Sequence, residues 1–320
     1  MTDTAFSLLD ALPGRRLALE ASAGTGKTYT LAGLATRLLA ETPLTPAELL
    51  VVTFTRAATA ELRARIRDRL VEAADHLAAD DPDDTDDELL AHLAACDPTE
   101  RGVRRDRLMR AVTDFDAATI TTIHGFATQV LTTLGLDAGI DADATLTDDA
   151  DVLIAEACAD VLVADAAADA PVEHLPAHKD LVTYVTWVLG IPDLDVAPAP
   201  GTTDDPAAEA LVRLIHAARD RIEERRRRDG TMSFDDILTK LRHAVSAGNP
   251  GHEIVRAALR SRFRVALIDE FQDTDPVQWD IFSSLFADED TGGPGLPDAA
   301  AAGDAPSTLV LVGDPKQAIY

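Results

Sequence analysis

Leu17-Ala18-Leu19-Glu20-Ala21-Ser22-Ala23-Gly24-Thr25-Gly26-Lys27-Thr28 is the stretch on which the reading of this chain turns. A short apolar run ends in small residues, and a helix-like segment, residues 29–39, follows. Small residues let backbone N–H groups close around phosphate oxygens, and the N-terminus of a helix adds a positive dipole end. In such a loop, residues Ala21, Ser22, Ala23, Gly24, Thr25 and Gly26 cradle the phosphates. Lys27 reaches the β- and γ-phosphates, and the Thr28 hydroxyl ligates Mg²⁺. Ala21 stands where the general G-x-x-x-x-G-K-[ST] pattern has its first glycine, a small-for-small exchange.

A phosphate loop needs acids opposite it. Arg264-Val265-Ala266-Leu267-Ile268-Asp269-Glu270 offers an apolar strand ending in two carboxylates. Asp269 is the candidate for holding Mg²⁺ through water, and Glu270 for orienting and deprotonating an attacking water. Lys27 and Asp269 lie 269 − 27 = 242 positions apart. That is long for a compact nucleotide-binding domain, so the spacing predicts an insertion between them.

Three further apolar runs read as buried parallel strands: 49–52, 118–121 and 309–312. Strands alternating with helix-like sequence predict an α/β domain with a mostly parallel sheet. Residues 141–230 are rich in Ala and Asp, helical in character and without a convincing strand, so they are the expected helical insertion. The expected division is therefore 1–140, 141–230 and 231–320. Residues 80–88 are almost all acidic and read as an exposed loop. Residues 287–307 are rich in Gly, Pro, Ala and acid and read as a flexible one.

Composition bounds what remains. The 320 residues suggest about two domains, and 46% hydrophobic residues exclude wholesale disorder. No apolar run reaches the roughly 18 residues of a membrane span, and Met1-Thr2-Asp3-Thr4 lacks the basic start of a signal peptide. Cys96 and Cys158 support neither a disulfide framework nor a cysteine zinc site. A soluble cytoplasmic protein without a membrane partner is the expectation. Asp+Glu at 56 against Lys+Arg at 29 leaves a net charge of −27, a poor global attractor for nucleic acid. Any nucleic-acid site must be local. The acidity also fits a salty cytoplasm or a GC-rich genome. The Arg-dense stretches 63–69, 101–110 and 225–228 have two open readings, a DNA track or solvated helix faces paired with nearby acids.

Taken together, six stretches resemble the motifs of superfamily 1 helicases of the UvrD/RecB type, and they run in family order from residue 19 to 320. Residues 19–28 resemble motif I in the wording of the RecB branch. Val52-Thr53-Phe54-Thr55-Arg56-Ala57-Ala58 resembles motif Ia, and Thr121-Thr122-Ile123-His124-Gly125-Phe126 the Thr-Ile-His-Gly-Phe motif. Ser233-Phe234-Asp235-Asp236-Ile237-Leu238 is similar to the segment that re-enters the motor domain. Residues 269–278 resemble motif II, and Val312-Gly313-Asp314-Pro315-Lys316-Gln317-Ala318-Ile319-Tyr320 motif III.

The resemblance implies a RecA-like motor lobe in two parts, 1–140 and 231–320, around a 1B-like helical insertion, with ATP and Mg²⁺ as cofactors. It makes Lys27, Glu270 and Gln317 catalytic, with Gln272 joining Gln317 as a sensor of the γ-phosphate. Thr53, Thr55 and Arg56 would touch the phosphates of single-stranded DNA, His124 and Phe126 would line the DNA path, and Tyr320 would stack on a base. The partners it implies are DNA ends and RecC-like and RecD-like subunits, in double-strand-break repair and recombination. Two readings stay beside it: a UvrD-like or AddA-like relative, and a nucleotide- and DNA-binding scaffold without turnover. The upstream Gln with which UvrD-like relatives read adenine is missing, and the 287–307 loop is longer than usual before motif III.

The chain stops inside motif III, so the second lobe, which supplies arginines to the transferring phosphate, and the nuclease domain of RecB are expected to be missing. The 320-residue chain is therefore predicted to bind Mg-ATP weakly without unwinding DNA. The check is ATP turnover with single-stranded DNA; robust stimulated turnover contradicts it.

Overall fold

The computed structural model describes residues 6–14, 16–21, 26–79, 81–82, 84–134, 145–146, 150–167, 175–191, 194, 196–199, 202–286 and 307–317. It separates into two compact units, residues 1–129 with 242–320, and residues 130–241.

The first unit is built on a five-stranded parallel sheet. Its strands are β1 (Arg16–Glu20), β2 (Leu49–Thr53), β3 (Thr119–Thr122), β6 (Val265–Ile268) and β7 (Thr308–Gly313), in the order β1-β7-β6-β2-β3. β2 and β6 are buried along their whole length, as apolar runs covered on both faces must be. The register aligns the carboxyl ends: Glu20 pairs with Gly313, Ile268 with Leu311, and Val52 with Ile268. The segments leaving β1, β7, β6 and β2 therefore emerge side by side at one sheet edge, where open α/β sheets bind ligands.

Helix α1 (Lys27–Glu41) leaves the phosphate-loop segment and is buried at every residue from Leu31 to Ala40. One of those residues is charged. Arg37, 4% exposed, donates to the carbonyls of Leu8 and Asp10, both at 2.6 Å, and to Glu41. It thereby ties the N-terminal segment to α1. Helices α2 (Arg56–Leu77), α3 (Glu88–Ala94) and α4 (Pro98–Thr113) complete this layer, capped by the side chains of Thr55, Asp87 and Asp97. On the other side of the chain's long insertion lie α10 (His252–Arg262) and α11 (Pro276–Phe286).

The acidic stretch 80–88 is not wholly an exposed loop. Pro82 is buried, and Asp87 both caps α3 and receives Arg69 through two bonds of 2.6 and 2.7 Å. Arg69 is 7% exposed and needs that counter-charge, together with Glu72. The loop expected at 287–307 lies outside the described residues except for Ser307, which is buried.

In the second unit, α6 (Ala150–Ala167), α7 (His178–Gly190) and α8 (Pro206–Asp229) pack around Ile154, Cys158, Leu181, Val185, Leu214, Ile215 and Ile222. The expectation of no strand here needs correcting. β4 (Thr145–Leu146) pairs in parallel with β5 (Thr231–Met232), and two residues are too few to show a period in sequence. The chain passes between the units within α5 (Ile123–Leu134) and within α9 (Phe234–Val245).

Of the two readings of the arginine clusters, the structure supports pairing. Arg225 donates to Glu156 at 2.9 Å and to Asp160 at 2.8 Å, Arg226 pairs with Asp236, and Arg228 with Asp229. Arg213 pairs with Asp165. In the 101–110 cluster, Arg101 and Arg104 donate to the carbonyls of Ala94 and Leu93, and Arg107 to that of Ala40. These are the last carbonyls of α3 and α1, which have no partner within their own helices.

Removing Arg37 leaves Glu41 half-stranded, with His92 as its remaining ion-pair partner among the described residues and the Arg104 charge nearby. Arg37→Ala is predicted to cost about 3 kcal/mol in urea unfolding. Burial works to raise the Glu41 pKa, but the Arg37 guanidinium outweighs it and holds the carboxyl below its ordinary value. Its stabilisation is therefore present above the unfolded-state value and fades as pH falls through the lower folded one. Arg37→Ala should flatten the acid limb of the stability profile; an unchanged limb contradicts the assignment.

Candidate nucleotide site

Gly26 adopts φ 87° and ψ 32°, the left-handed region where glycine carries no penalty, and turns the chain into α1. The helix has no side-chain cap and no acid in its first turn. Its N-terminus is thus open to an anion. Residues Ser22, Ala23, Gly24 and Thr25 lie outside the described residues; Ala21 donates to the Gly313 carbonyl at 3.0 Å and extends the β1–β7 pairing into the start of the loop. Thr28 sits, partly buried, in the first turn of α1.

Despite a separation of 243 positions, the Lys27 ammonium meets the Glu270 carboxylate in a direct ion pair. The Lys27 side chain is 11% exposed and that of Glu270 33%. Glu270 lies two residues beyond β6 and stands at φ 53°. A residue with a β-carbon adopts this region at some cost. Asp269 is fixed by its own N–H to the Val52 carbonyl (2.8 Å) and accepts from the Glu270 N–H (2.9 Å).

Gln272 links this acid pair to β7. Its Nε2 donates to Glu270 Oε2 at 2.7 Å, and its Oε1 accepts from the Asp314 N–H at 2.9 Å. The approach is so close that a β-carbon on Gly313 would stand 2.8 Å from Gln272 Oε1. Asp314, 3% exposed, accepts from Gln317 Nε2 at 2.6 Å and so orients that side chain. Its role was not anticipated. The one sequence signal for it is position: an acid directly after a buried strand.

The electrostatics of the site are lopsided. Burial, followed by the neighbouring Glu270 charge, pushes the Asp269 carboxyl up to about 6. For Glu270, burial acts in the same direction, but the Gln272 amide and the Lys27 ammonium outweigh it and lower its pKa. Asp269 and Glu270 thus both feel the Lys27 charge, and Asp314 adds a further negative charge near Glu270. Among the described residues no cluster of three or more His, Cys, Asp or Glu side chains could hold a metal by itself. A cation here would draw its remaining ligands from a hydroxyl, water and phosphate, the habit of Mg²⁺.

The expected DNA contacts divide. Thr55 and Arg56 are exposed, and Arg56 makes no ion pair among the described residues. Thr55 also caps α2 by accepting from Ala58 N–H at 3.1 Å. Thr53 is 2% exposed and spends its hydroxyl on the Thr55 carbonyl and the Thr59 hydroxyl. Its expected phosphate contact is therefore corrected to a structural role beneath the 54–56 segment. Phe126 is corrected likewise. It is fully buried, 5.8 Å from Phe263 and 6.0 Å from Phe282 between ring centroids, and belongs to the core. His124 is partly buried at the start of α5, where Gly125 donates to Thr122 Oγ1. A β-carbon on Gly125 would collide with the Thr121 hydroxyl, which explains the glycine. Phe54, exposed at 47%, is an aromatic beside Thr55 that the motif reading passed over. Tyr320 lies outside the described residues.

A parallel sheet with a lysine-bearing helix start beside a strand-end acid pair defines a RecA-like P-loop domain. Residues 4–320 match the family model described as the UvrD/REP helicase N-terminal domain, and the chain belongs to that family. It is 39% identical over 319 residues to the RecBCD enzyme subunit RecB of Mycobacterium tuberculosis, covering 98% of this chain and 27% of the relative. It is 29% identical to RecB of Escherichia coli K12, over 97% of this chain and 34% of that protein. To the ATP-dependent DNA helicase UvrD2 of Mycobacterium bovis it is 24% identical over 94% of this chain. The chain spans about a quarter to a third of the length of the RecB relatives. No described helix is long and apolar enough to cross a membrane.

Because burial holds the folded Asp269 carboxyl above the ordinary carboxylate range, its contribution to stability is full at acid pH and is lost as pH rises through about 6. Asp269→Asn is therefore predicted to be more stable than the wild type at pH 8, by about 1–3 kcal/mol. The gap should narrow towards pH 5 in urea titrations. A gap of constant size, or a less stable variant at pH 8, contradicts the burial argument.

Proposed function

We propose that this chain is the ATP-hydrolysing motor lobe of a RecB-like DNA helicase subunit acting in double-strand-break repair and recombination. The observation that carries the reading is the meeting of Lys27 with Glu270 at the carboxyl edge of a parallel sheet, in a chain of the UvrD/REP family. The higher identity to RecB than to UvrD2 favours the RecB branch.

ATP and Mg²⁺ fit the residues. The uncapped start of α1 suits phosphate, and the acid excess around Asp269 calls for a cation. Bound Mg²⁺ neutralises charge on the phosphates during transfer. Residues 21–26 would wrap the phosphates with backbone N–H groups, Lys27 would hold the β- and γ-oxygens, and Thr28 and Asp269 would hold the metal. Glu270 orients and deprotonates the attacking water. Gln272 and Gln317 report the γ-phosphate to the neighbouring loops, a task suited to an amide that both donates and accepts.

Thr55, Arg56 and His124 are the proposed DNA contacts, binding backbone without reading sequence. Thr53 and Phe126 support them from behind, and Tyr320 is the proposed base-stacking residue. Residues 141–230, within the compact unit 130–241, are proposed as the 1B-like insertion, RecC-like and RecD-like subunits as partners, and the cytoplasm as location.

In the full-length protein, Lys27→Ala and Glu270→Gln are each predicted to lower DNA-stimulated ATP turnover by about 10²-fold or more and to abolish unwinding. Unwinding that survives Lys27→Ala contradicts the proposal.

A further inference from the structure

Glu270 Oε2 serves two donors at once, the Lys27 ammonium and the Gln272 amide. The latter is itself fastened to β7 through the Asp314 N–H. Gln272 thus holds this carboxylate beside Lys27 through a tether that runs to the end of β7. Lys27, with 11% of its side chain exposed, carries one compact charge, which cannot serve a carboxylate and a triphosphate at full strength together.

We infer that Glu270 acts as an autoinhibitory latch on the phosphate site, in addition to its proposed part in hydrolysis. Its carboxylate competes with the triphosphate for Lys27. The base is engaged while Lys27 holds it and is released when phosphate oxygens take the lysine over. Gln272 keeps the released carboxylate in place, because its bond to Oε2 does not pass through Lys27. Premature activation of water is suppressed by the same contact that nucleotide must break. The inference rests on the nucleotide reading above, and its test separates the two.

The experiment is calorimetric titration of the 320-residue chain with ATP at pH 8 in excess EDTA, where neither metal nor hydrolysis contributes. The variants are Glu270→Gln, which removes the charge and keeps an acceptor for Gln272, and Glu270→Asp, which keeps the charge and draws it back from Lys27. Asp275→Asn removes a charge of the same segment that is assigned no part in nucleotide or metal binding and keeps an acceptor for the Gln278 N–H. Thermal melts confirm that each variant is folded. The latch predicts that both Glu270 variants bind ATP about threefold or more tighter than the wild type, and that Asp275→Asn changes binding by less than about twofold. If Glu270→Asp binds like the wild type while Glu270→Gln and Asp275→Asn tighten equally, general charge repulsion accounts for the effect and the latch is overturned. It is equally overturned if no variant tightens. A wild-type chain that takes up no ATP overturns the nucleotide reading itself.

Discussion

Parallel pairing of β7 between β1 and β6 is the constraint on which the site depends. Glu20 is registered on Gly313 and Ile268 on Leu311, so β1 and β7 end level and β6 ends two residues earlier, which leaves Asp269 and Glu270 beside the end of β7. Lys27 and Glu270 have no sequence proximity and no direct strand contact. They meet because one inserted strand sets the distance between the segments that carry them. Gly313, at the end of that strand, has no side chain, and Gln272 uses the space to reach Asp314. A shift of one residue in the β7 register would move Gly313 and Asp314 away from Gln272 and put a side chain where Gly313 leaves room for it.

The acidity of the chain has a structural use. Acids cap α3, α4 and α8 through Asp87, Asp97 and Asp205. They also neutralise arginines that lie in or near the core, as Glu41 does for Arg37 and Asp87 for Arg69. At the sheet edge the same excess is concentrated around one lysine. There burial, and after it the neighbouring Glu270 charge, raises the Asp269 pKa, a cost that a bound cation would offset.

Much of the fold was legible in the sequence. The five core strands announced themselves as short apolar runs between helix-like segments, and the 242-residue separation of Lys27 from Asp269 required an insertion. The motif I and II residues could be named because their chemistry needs a fixed type at a fixed spacing. Thr53 and Phe126 were misjudged for the opposite reason. A motif gives residue types without telling which side of a strand or helix faces the core. Thr53 ends a fully buried strand, and Phe126 meets two phenylalanines from segments more than a hundred residues away. Asp87 was hidden among similar acids, because its bond to Arg69 is a tertiary fact. The partners of the arginine clusters became clear only with α6 beside α8 and the ends of α3 and α1 beside α4.

The central claim is that one triphosphate bridges the start of α1 and the end of β6. The most direct measurement is a crystal structure of the chain with a non-hydrolysable ATP analogue and Mn²⁺, located by its anomalous signal. The account requires the manganese peak between the Thr28 hydroxyl and the Asp269 carboxylate, with Lys27 turned from Glu270 onto the phosphates. Nucleotide bound elsewhere, or carboxylates at 269 and 270 out of reach of the metal, would contradict it.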